Sequence, residues 1–297
     1  MFNKSRFFLV VFILGLAVNF AFAETKNENT ESDQQINDFA LSGYGQKGKK
    51  NWDLSGKTAD IFNDIVKLKA VSGNLYEEKE DVKLTADRGD FNKASGLVHL
   101  EDNVVVTTSG GAKLTSDTLD WDRKKQLVST VSRVNLEKQQ MNLQGEGASG
   151  KTDLKKVQVV KDVRLDIQEK GFKDKSVSDK IVITCLGPLD IDYEKNIAVF
   201  SNHVRVERPD SVILSDRLEV YFNRSKQNSA KQKPDSVVGA GSIERIVASG
   251  HVQILQGENV SYSEKAIYTA ADKKLTLVGA PRLVIYQTEK MNAAFRN

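Results

Sequence analysis

The chain is poor in cysteine, proline and aromatic residues. Its 297 residues include one cysteine, Cys185, and four prolines, and aromatic side chains make up 7% of the total. A single cysteine forms no disulfide within the chain, so strand pairing and the burial of apolar side chains must hold the fold together. Cys185 lies in the apolar context Ile183-Thr-Cys-Leu186 and is expected to be a small buried residue.

Neither sign of charge dominates the sequence. The formal net charge is +3, and it falls to +1 without Lys4 and Arg6 near the N-terminus. Proteins that bind nucleic acid carry clustered basic faces, and this sequence has no such cluster. We therefore expect no nucleic-acid partner.

The one long apolar run lies at the N-terminus and indicates export. Lys4 and Arg6 precede a mostly apolar run at 7–22, and the small-residue pattern Ala21-Phe22-Ala23 precedes Glu24. This order predicts a signal peptide at 1–23 that is cleaved between Ala23 and Glu24. The apolar run is close to the roughly 17 residues of the shortest membrane span, so an uncleaved inner-membrane anchor is the alternative.

The sequence repeats itself. A shift of 30 residues aligns Leu84-Thr-Ala-Asp87 with Leu114-Thr-Ser-Asp117, and a shift of 70 aligns Leu119–Asp122 with Leu189–Asp192. Periods near 30 are typical of stacked supersecondary units, in which no unit buries its apolar face alone. Because the second shift crosses the middle of the chain, both halves are expected to share one architecture.

Each unit is predicted to be a pair of strands. Short, β-branched, mostly alternating runs recur at 103–108, 133–136, 162–167, 202–207, 250–255 and 282–286. Polar segments rich in Asp, Asn and Lys separate them, as in hairpin loops. The pattern predicts an all-β fold, an elongated and repeat-built antiparallel array in up-and-down order. Residues 58–69 are ambiguous, because their apolar spacing also fits a helix.

Three polar segments suggest the domain organisation. Residues 24–41 are rich in Glu, Asn, Gln and Thr, and we expect them to form a disordered spacer. The segment Gly171–Ser176 is the predicted boundary between a first half at 42–170 and a second half at 176–290. Residues 223–238 are predicted to be a long solvated loop within the second half.

The paired acids are the strongest candidates for catalysis. Asp120/Asp122 and Asp190/Asp192 resemble the carboxylate pair of a glycoside hydrolase. Both pairs occupy the same hairpin position of the repeat, which a turn preference explains and a single active site does not. We therefore expect no catalytic residue in this chain.

Metal and nucleotide sites are not expected either. The three histidines are His99, His203 and His251. Neither His203 nor His251 has a cysteine or another histidine at ligand spacing, and both are predicted to lie at strand edges facing solvent. The segment Gly145–Gly150 lacks the Gly-Lys-Ser/Thr ending of a phosphate-binding loop, so it is predicted to be a bulge or turn. No cofactor is expected.

Several motifs carry a family resemblance. The first half resembles LptC, the periplasmic, membrane-anchored component of lipopolysaccharide transport, in the segments Gly43–Leu54, Lys83–Phe91 and Leu100–Val106. The second half resembles the LptA (OstA-like) family in the segments Leu189–Tyr193, Ala198–Val206, Leu214–Leu218, Ala248–Ile254 and Leu275–Val284. The chain thus resembles an LptC-like half followed by an LptA-like half, although LptC-like proteins usually keep their anchor.

The resemblance implies a fold and a set of partners. The fold would be a twisted, slightly open β-jellyroll, as one or two stacked units, whose apolar inside holds acyl chains. The implied partners are lipopolysaccharide or a related glycolipid, the inner-membrane ABC transporter complex, other OstA-like jellyroll proteins that pair through edge strands, and the outer-membrane translocon. The implied location is the periplasm, with ATP hydrolysed elsewhere.

Strand alternation predicts which residues line the inside. Residues two apart on a strand share a face. The predicted lipid-binding residues are Val104, Val106, Val134, Leu136, Val163, Leu165, Val204, Val206, Val252 and Ile254. The alternative for each is that it fills a closed core. Two other functions stay open, namely a structural or adhesive β-array without lipid and a β-solenoid glycoside hydrolase.

Overall fold

The computed structural model of the protein describes residues 33–44, 48–76, 81–122, 124–151, 155–168, 180–222 and 243–285. The predicted signal peptide at 1–23 with its cleavage site, the boundary segment at 171–176 and the polar loop at 223–238 lie outside these residues. Within the described ranges, no helix has the length and hydropathy needed to cross a membrane.

Strands make up most of the described chain. Their bounds are β1 Gln34–Tyr44, β2 Lys50–Phe62, β3 Ile65–Leu75, β4 Val82–Asn92, β5 Leu97–Thr108, β6 Ala112–Asp122, β7 Leu127–Lys138, β8 Met141–Lys151, β9 Lys156–Gln168, β10 Lys180–Cys185, β11 Leu189–Asp192, β12 Ile197–Arg208, β13 Ser211–Phe222, β14 Ile243–Gln256, β15 Asn259–Thr269, β16 Lys274–Val278 and β17 Arg282–Val284. The ambiguous stretch at 58–69 belongs to β2 and β3.

The strands follow one another as an antiparallel meander in a single 17-stranded sheet. Neighbours in sequence pair from β1 to β9 and from β12 to β15. Between these runs, β10 and β11 together fill one strand position, because both pair with β9 on one side and β12 on the other. Likewise, β16 and β17 both pair with β15. The predicted antiparallel up-and-down array is confirmed.

The predicted disordered spacer is wrong from residue 34 onward. Strand β1 pairs with β2 along its whole length, from Gln34 opposite Ile61 to Tyr44 opposite Lys50. One aromatic side chain anchors this polar strand: Phe39 is only 8% exposed, and a Cβ at the facing Gly56 would stand 2.6 Å from its ring. The prediction rested on the average composition of the segment. An average does not reveal that one ring is buried or that the backbone pairs with a neighbouring strand.

Most strands bend near their middle. The pairing register shifts there, for example between Glu101 and Val104 in β5 and between Ser249 and Val252 in β14. At these corners the backbone enters the left-handed region, with φ of 53° at Asn103, 54° at His203 and 47° at His251. Asn and His are among the non-glycine residues most often found in that region. The corners fold the long sheet back on itself.

The interior contains two clusters of buried apolar residues. The first is built from β1 to β6 and the second from β7 to β15. Val104, Val204 and Val252 are each only 1% exposed. A residue on one face of a single flat sheet keeps its outer side open to water, so these values require the two arms of the bent strands to face each other. This is the arrangement of a jellyroll.

A band of hydroxyl groups separates the two clusters. Ser116 and Thr130 are buried, and Thr118 Oγ1 lies 3.0 Å from Thr130 Oγ1 and 2.8 Å from Ser132 Oγ. Ser116 Oγ also donates a hydrogen bond to the carbonyl oxygen of Arg133 over 3.1 Å. The hydroxyl groups of this band satisfy one another, so none of the four is left without a partner.

The second cluster spans the predicted boundary between the halves. Val159 and Val163 of β9 lie in it together with Leu189 and Phe200, which follow the boundary segment. Strand β9 also pairs directly with β10 and β11. The two halves therefore share one sheet and one core.

Candidate functional site

All ten residues that alternation assigned to the inside belong to the interior clusters. Seven are buried, and Val106, Leu136 and Ile254 are partly buried and packed against a cluster. Their side chains therefore lie inside the folded sheet, and the binding of lipid by them stays a prediction. The structure adds that the centre of the interior is filled by these side chains, so it is a packed core there and not an open channel.

Cross-strand pairing joins some of these residues into one line. Leu136, for example, lies opposite Leu114 on one side and Leu143 on the other. The line, here called the apolar row, consists of Leu54, Leu84, Val106, Leu114, Leu136, Leu143, Leu165, Ile183, Val206, Ile213 and Ile254, with Gly73 between the first two. It crosses twelve strands, which at the usual spacing of neighbouring strands is about 50 Å.

Exposure varies along the apolar row. Its central members Leu143, Leu165, Ile183 and Val206 are buried, and its other members are partly buried. Beyond its ends the register continues to Leu41 of β1 and, across Ser261, to Leu283 of β17, which are 54% and 60% exposed. The row is thus accessible towards both ends and closed at its centre.

Six members of the apolar row were not predicted from the sequence. They are Leu54, Leu84, Leu114, Leu143, Ile183 and Ile213. A signal for three of them was present, because Leu84, Leu114 and Ile213 each stand three residues before an aspartate, in Leu84–Asp87, Leu114–Asp117 and Ile213–Asp216. An apolar residue three positions before an aspartate therefore marks an inward-facing side chain followed by a corner of the strand. It is more than a signal for a turn.

Two aspartates of this repeat, Asp87 and Asp216, bind the corners. Asp87 Oδ2 accepts a hydrogen bond from Asn103 Nδ2 over 2.6 Å, and Asp216 Oδ2 accepts one from His251 Nδ1 over 2.7 Å. His203 occupies the equivalent corner of β12. His203 and His251 face solvent, as predicted, but neither lies at a strand edge. Both stand at corners within β12 and β14, where their ability to adopt positive φ is used.

The paired acids hold turns and neighbouring strands. Asp122 and Asp192 each accept backbone N–H hydrogen bonds within the turn that follows them, from Lys125 and from Lys195 respectively. These backbone hydrogen bonds are the main reason why the pKa of each carboxyl group is lowered. A glycosidase acid needs a raised pKa to carry its proton at neutral pH. The geometry does not support that role.

The first member of each acidic pair binds across strands. Asp120 Oδ1 lies 2.6 Å from His99 Nδ1, and Asp190 Oδ1 accepts a hydrogen bond from Gln158 Nε2 over 2.7 Å.

Cys185 is buried as predicted, and burial raises the pKa of its thiol. In the described part of the chain, no three His, Cys, Asp or Glu residues come together as metal ligands would. Gly145 lies in a register shift of β8, so the predicted bulge is confirmed.

A polar network lies at the ends of β2 and β3. Asp53 accepts hydrogen bonds from Lys50 Nζ, Asn74 Nδ2 and Tyr76 OH at 2.8, 2.6 and 2.7 Å. Lys50 first, then Asn74 and Tyr76, lower the pKa of Asp53 from 3.8 to about 2. A shallow cleft of about 240 Å³ opens beside Asn74 and Tyr76. All three donors bind the same carboxylate, that of Asp53. The role of the network is therefore to join the ends of β2 and β3.

Comparison with known protein families identifies the first part of the chain. Residues 7–168, more than half of the chain, match the family described as lipopolysaccharide-assembly, LptC-related. The chain belongs to this LptC-related family. Residues 188–294 match the model of the LptA/(LptD N-terminal domain) lipopolysaccharide transport proteins. The predicted order, an LptC-like half followed by an LptA-like half, is confirmed, and the function of the protein lies in lipopolysaccharide transport.

One solved structure with sequence similarity is the crystal structure of LptH from Pseudomonas aeruginosa, described as the LptA-homologous periplasmic component of a lipopolysaccharide transport device. The two sequences are 15% identical over 69% of this chain and 95% of that chain. The TM-score is only 0.17, so this similarity adds nothing to the family assignment. Comparison with curated protein sequences finds no match.

The family matches meet inside the sheet. The LptC-related match ends at residue 168, the last residue of β9, and the LptA-like match begins at residue 188, just before β11. The apolar row crosses this junction through Leu165, Ile183 and Val206, which are direct cross-strand partners. Two lipopolysaccharide-transport modules are therefore fused through backbone hydrogen bonds, and their apolar surfaces are continuous.

Proposed function

We propose that the protein is a non-enzymatic periplasmic conduit that carries lipopolysaccharide, or a related glycolipid, from an inner-membrane ABC transporter toward the outer membrane. The acyl chains of the lipid would travel along the apolar row. The observation that carries this proposal is the continuity of the row across both family modules. Energy would come from ATP hydrolysed by the transporter.

The chemistry of the interior suits an acyl chain. Each Leu, Ile or Val side chain gains roughly 1.5–3 kcal/mol on complete removal from water, so partly buried members of the row gain further on contact with lipid. At the centre, Leu143, Leu165 and Ile183 are already buried against protein. Passage there requires the two arms of the bent strands to move apart, so that lipid contacts replace contacts between side chains.

The two ends of the array suit pairing with other jellyroll proteins. Strand β1 pairs only with β2 among the described strands, which leaves its outer backbone edge open, and Ile36, Leu41 and Tyr44 are exposed on it. At the other end Leu283 and Val284 are exposed on β17. A neighbouring jellyroll that adds a strand to such an edge would extend both the sheet and the apolar row.

A charge introduced into the interior tests the proposal. Val134→Asp should abolish the copurification of lipopolysaccharide from cells, because an ionised carboxylate in an apolar site costs several kcal/mol. The control is Asp122→Ala, which alters a turn and should leave copurification unchanged. If Val134→Asp lacks a cooperative melting transition, Leu136→Asp at a partly buried member of the row replaces it. Equal lipid content in the wild type and all folded variants would contradict the proposal.

A structural β-array without lipid is the second candidate. The packed centre favours it, since Val104, Val204 and Val252 are almost completely covered by protein. It predicts that the wild type itself copurifies with no lipopolysaccharide from cells that make this lipid. The same measurement therefore separates the two functions.

A further inference from the structure

One edge of the sheet carries lysines in most of its turns. In an antiparallel meander alternate turns lie at the same edge, so the turns after β4, β6, β8, β11 and β15 share one edge. This edge is here called the lysine edge, after the exposed lysines of those five turns, Lys93, Lys124, Lys125, Lys155, Lys195 and Lys273. The turn at 63–64, after β2, belongs to the same edge and has no lysine.

The opposite edge differs in charge. Four of its turns are described in full, at 109–111, 139–140, 209–210 and 257–258, and they contain two acidic residues and no basic one. The lysines of the lysine edge lie in five separate turns, so no basic cluster is visible in the sequence. The meander brings them into one row.

Neighbouring turns of the lysine edge contact one another. Lys124 Nζ donates a hydrogen bond to the carbonyl oxygen of Ala94, in the turn after β4, over 3.1 Å. The backbone N–H of Tyr193, in the turn after β11, donates one to the carbonyl oxygen of Lys155 over 2.9 Å. Neighbouring turns at one edge are two strands apart, which is about 10 Å. The lysine edge is therefore a row of cations about 50 Å long.

The lysine edge has an excess of positive charge. Counted with the strand residues that flank each turn, its described part holds nine lysines and five acidic residues, an excess of four. Lys125 pairs with Asp122 over 3.1 Å, and Lys155 pairs with Glu194 over 2.9 Å. Within the described ranges, no ion pair forms at the other four lysines that define the edge. The summed field of such a row attracts an anionic partner.

Exposed apolar side chains accompany the lysines. Leu97 begins β5 after the turn of Lys93, and Leu275 lies two residues after Lys273; they are 45% and 47% exposed. Ile243, the first residue of β14, is 39% exposed at the same edge. Lysines beside apolar side chains are typical of surfaces that lie in the headgroup layer of an anionic bilayer, where cations meet phosphates and apolar groups reach the acyl boundary. A nucleic acid would match the charge alone.

We propose that the lysine edge lies against an anionic phospholipid bilayer. The lysines bind the headgroup phosphates, while Leu97 and Leu275 enter the headgroup layer. This contact sets which edge of the array faces the membrane. The inference goes beyond the proposed function and does not require lipid in the interior, so its failure would leave the conduit standing.

Fluorescence quenching on the full chain tests which edge meets the lipid. Gln126 at the lysine edge and Gln139 at the opposite edge are a matched pair, because both are exposed and both have a φ of 52°. The separate variants Gln126→Cys and Gln139→Cys each receive a fluorophore, and the buried Cys185 is shielded from the reagent. The vesicles consist of phosphatidylglycerol and carry a quencher on their headgroups.

The label at position 126 should be quenched, and the label at position 139 should not. Vesicles of phosphatidylcholine should quench neither label. Quenching at position 126 should also be lost in about 1 M salt, where the Debye length is only about 3 Å. The apolar run at 7–22 is present in both labelled proteins, so it does not account for a difference between them.

Two triple variants separate the lysine edge from net charge. Combining Lys93→Gln, Lys124→Gln and Lys195→Gln should reduce the quenching at position 126 to the level at position 139. The control combines substitutions of three exposed lysines outside this edge and should leave the quenching unchanged: Lys69→Gln, Lys83→Gln and Lys113→Gln. Both triple variants should melt at the wild-type temperature, because exposed substitutions change stability little.

Several results would overturn the proposal. They are equal quenching at the two positions, quenching at neither, equal quenching by the two kinds of vesicle, and equal effects of the two triple variants. Duplex DNA that releases the label at position 126 from the vesicles, at equal phosphate concentration, would identify a general polyanion site and overturn the lipid surface. Because the vesicles contain no lipopolysaccharide, each of these results is separate from the test of the proposed function.

Discussion

At the scale of single residues, backbone conformation places the most buried side chains. Asn103, His203 and His251 adopt positive φ, and each is followed directly by a valine that is almost completely buried. The positive φ bends the strand and changes which side chains face inward. The side chain that follows the bend therefore points between the two arms. The recurrent pattern of a small or polar residue before an interior valine is thus a corner signal, and it accounts for two of the three histidines in the chain.

The Asp53 network gives a prediction about pH. Its donors hold the pKa of Asp53 at about 2, below the ordinary 3.8, so the ionised form is favoured in the folded protein. Stability from this network is present above pH 3.8 and is lost as the pH falls towards 2. A carboxyl titration followed by NMR should give a midpoint near 2 for Asp53. Tyr76→Phe should raise that midpoint; a midpoint unmoved by the substitution would show that the hydroxyl does not bind the carboxylate.

At the scale of elements, the sequence predicted the strands better than their partners. Alternating β-branched runs identified β5, β7, β9, β12 and β14, because a half-buried strand leaves a period of two in the sequence. The apolar row could not be derived in the same way. It depends on register between strands, and each corner shifts that register. The burial of Leu143 and Ile183 follows from pairing and is not visible in either segment alone.

Strand β1 gives a prediction at the same scale. Phe39→Ala should detach this strand, because the ring is its only buried side chain in the described structure and a Phe→Ala change in a core costs about 3–5 kcal/mol. Hydrogen exchange should show lost protection of the β1 amides and unchanged protection in β12. The matched control is Ile36→Ala on the same strand, where the side chain is exposed and the protection should persist. Equal effects of the two substitutions would contradict the anchoring role of Phe39.

At the scale of the whole molecule, the two family modules share one sheet and one core cluster. Strand β9 of the first module pairs with β10 and β11, and its residues Val159 and Leu165 share a core with Phe200 of the second. The resemblance to two families predicted the order of the modules. It did not predict their fusion, because family motifs describe each module separately and the joining strands are set by pairing across the boundary.

Cleavage of the chain tests this fusion. A protease site placed at 171–176 should allow the chain to be cut while the two fragments stay together in gel filtration, because backbone hydrogen bonds and the common core continue to hold them. They should separate only in denaturant. Fragments that separate under native conditions would show that the modules are independent domains joined by a linker.

The most direct test of the account is to map lipid contacts along the apolar row. A photo-crosslinking amino acid would be placed at Leu84 in the first module, Leu143 at the buried centre and Ile254 in the second module, with Lys83 and Arg164 as outward controls. After irradiation of cells that make lipopolysaccharide, the account predicts a covalent lipopolysaccharide adduct at all three inward positions and at neither control. Adducts confined to one module, or absent from folded protein at every inward position, would contradict a continuous conduit.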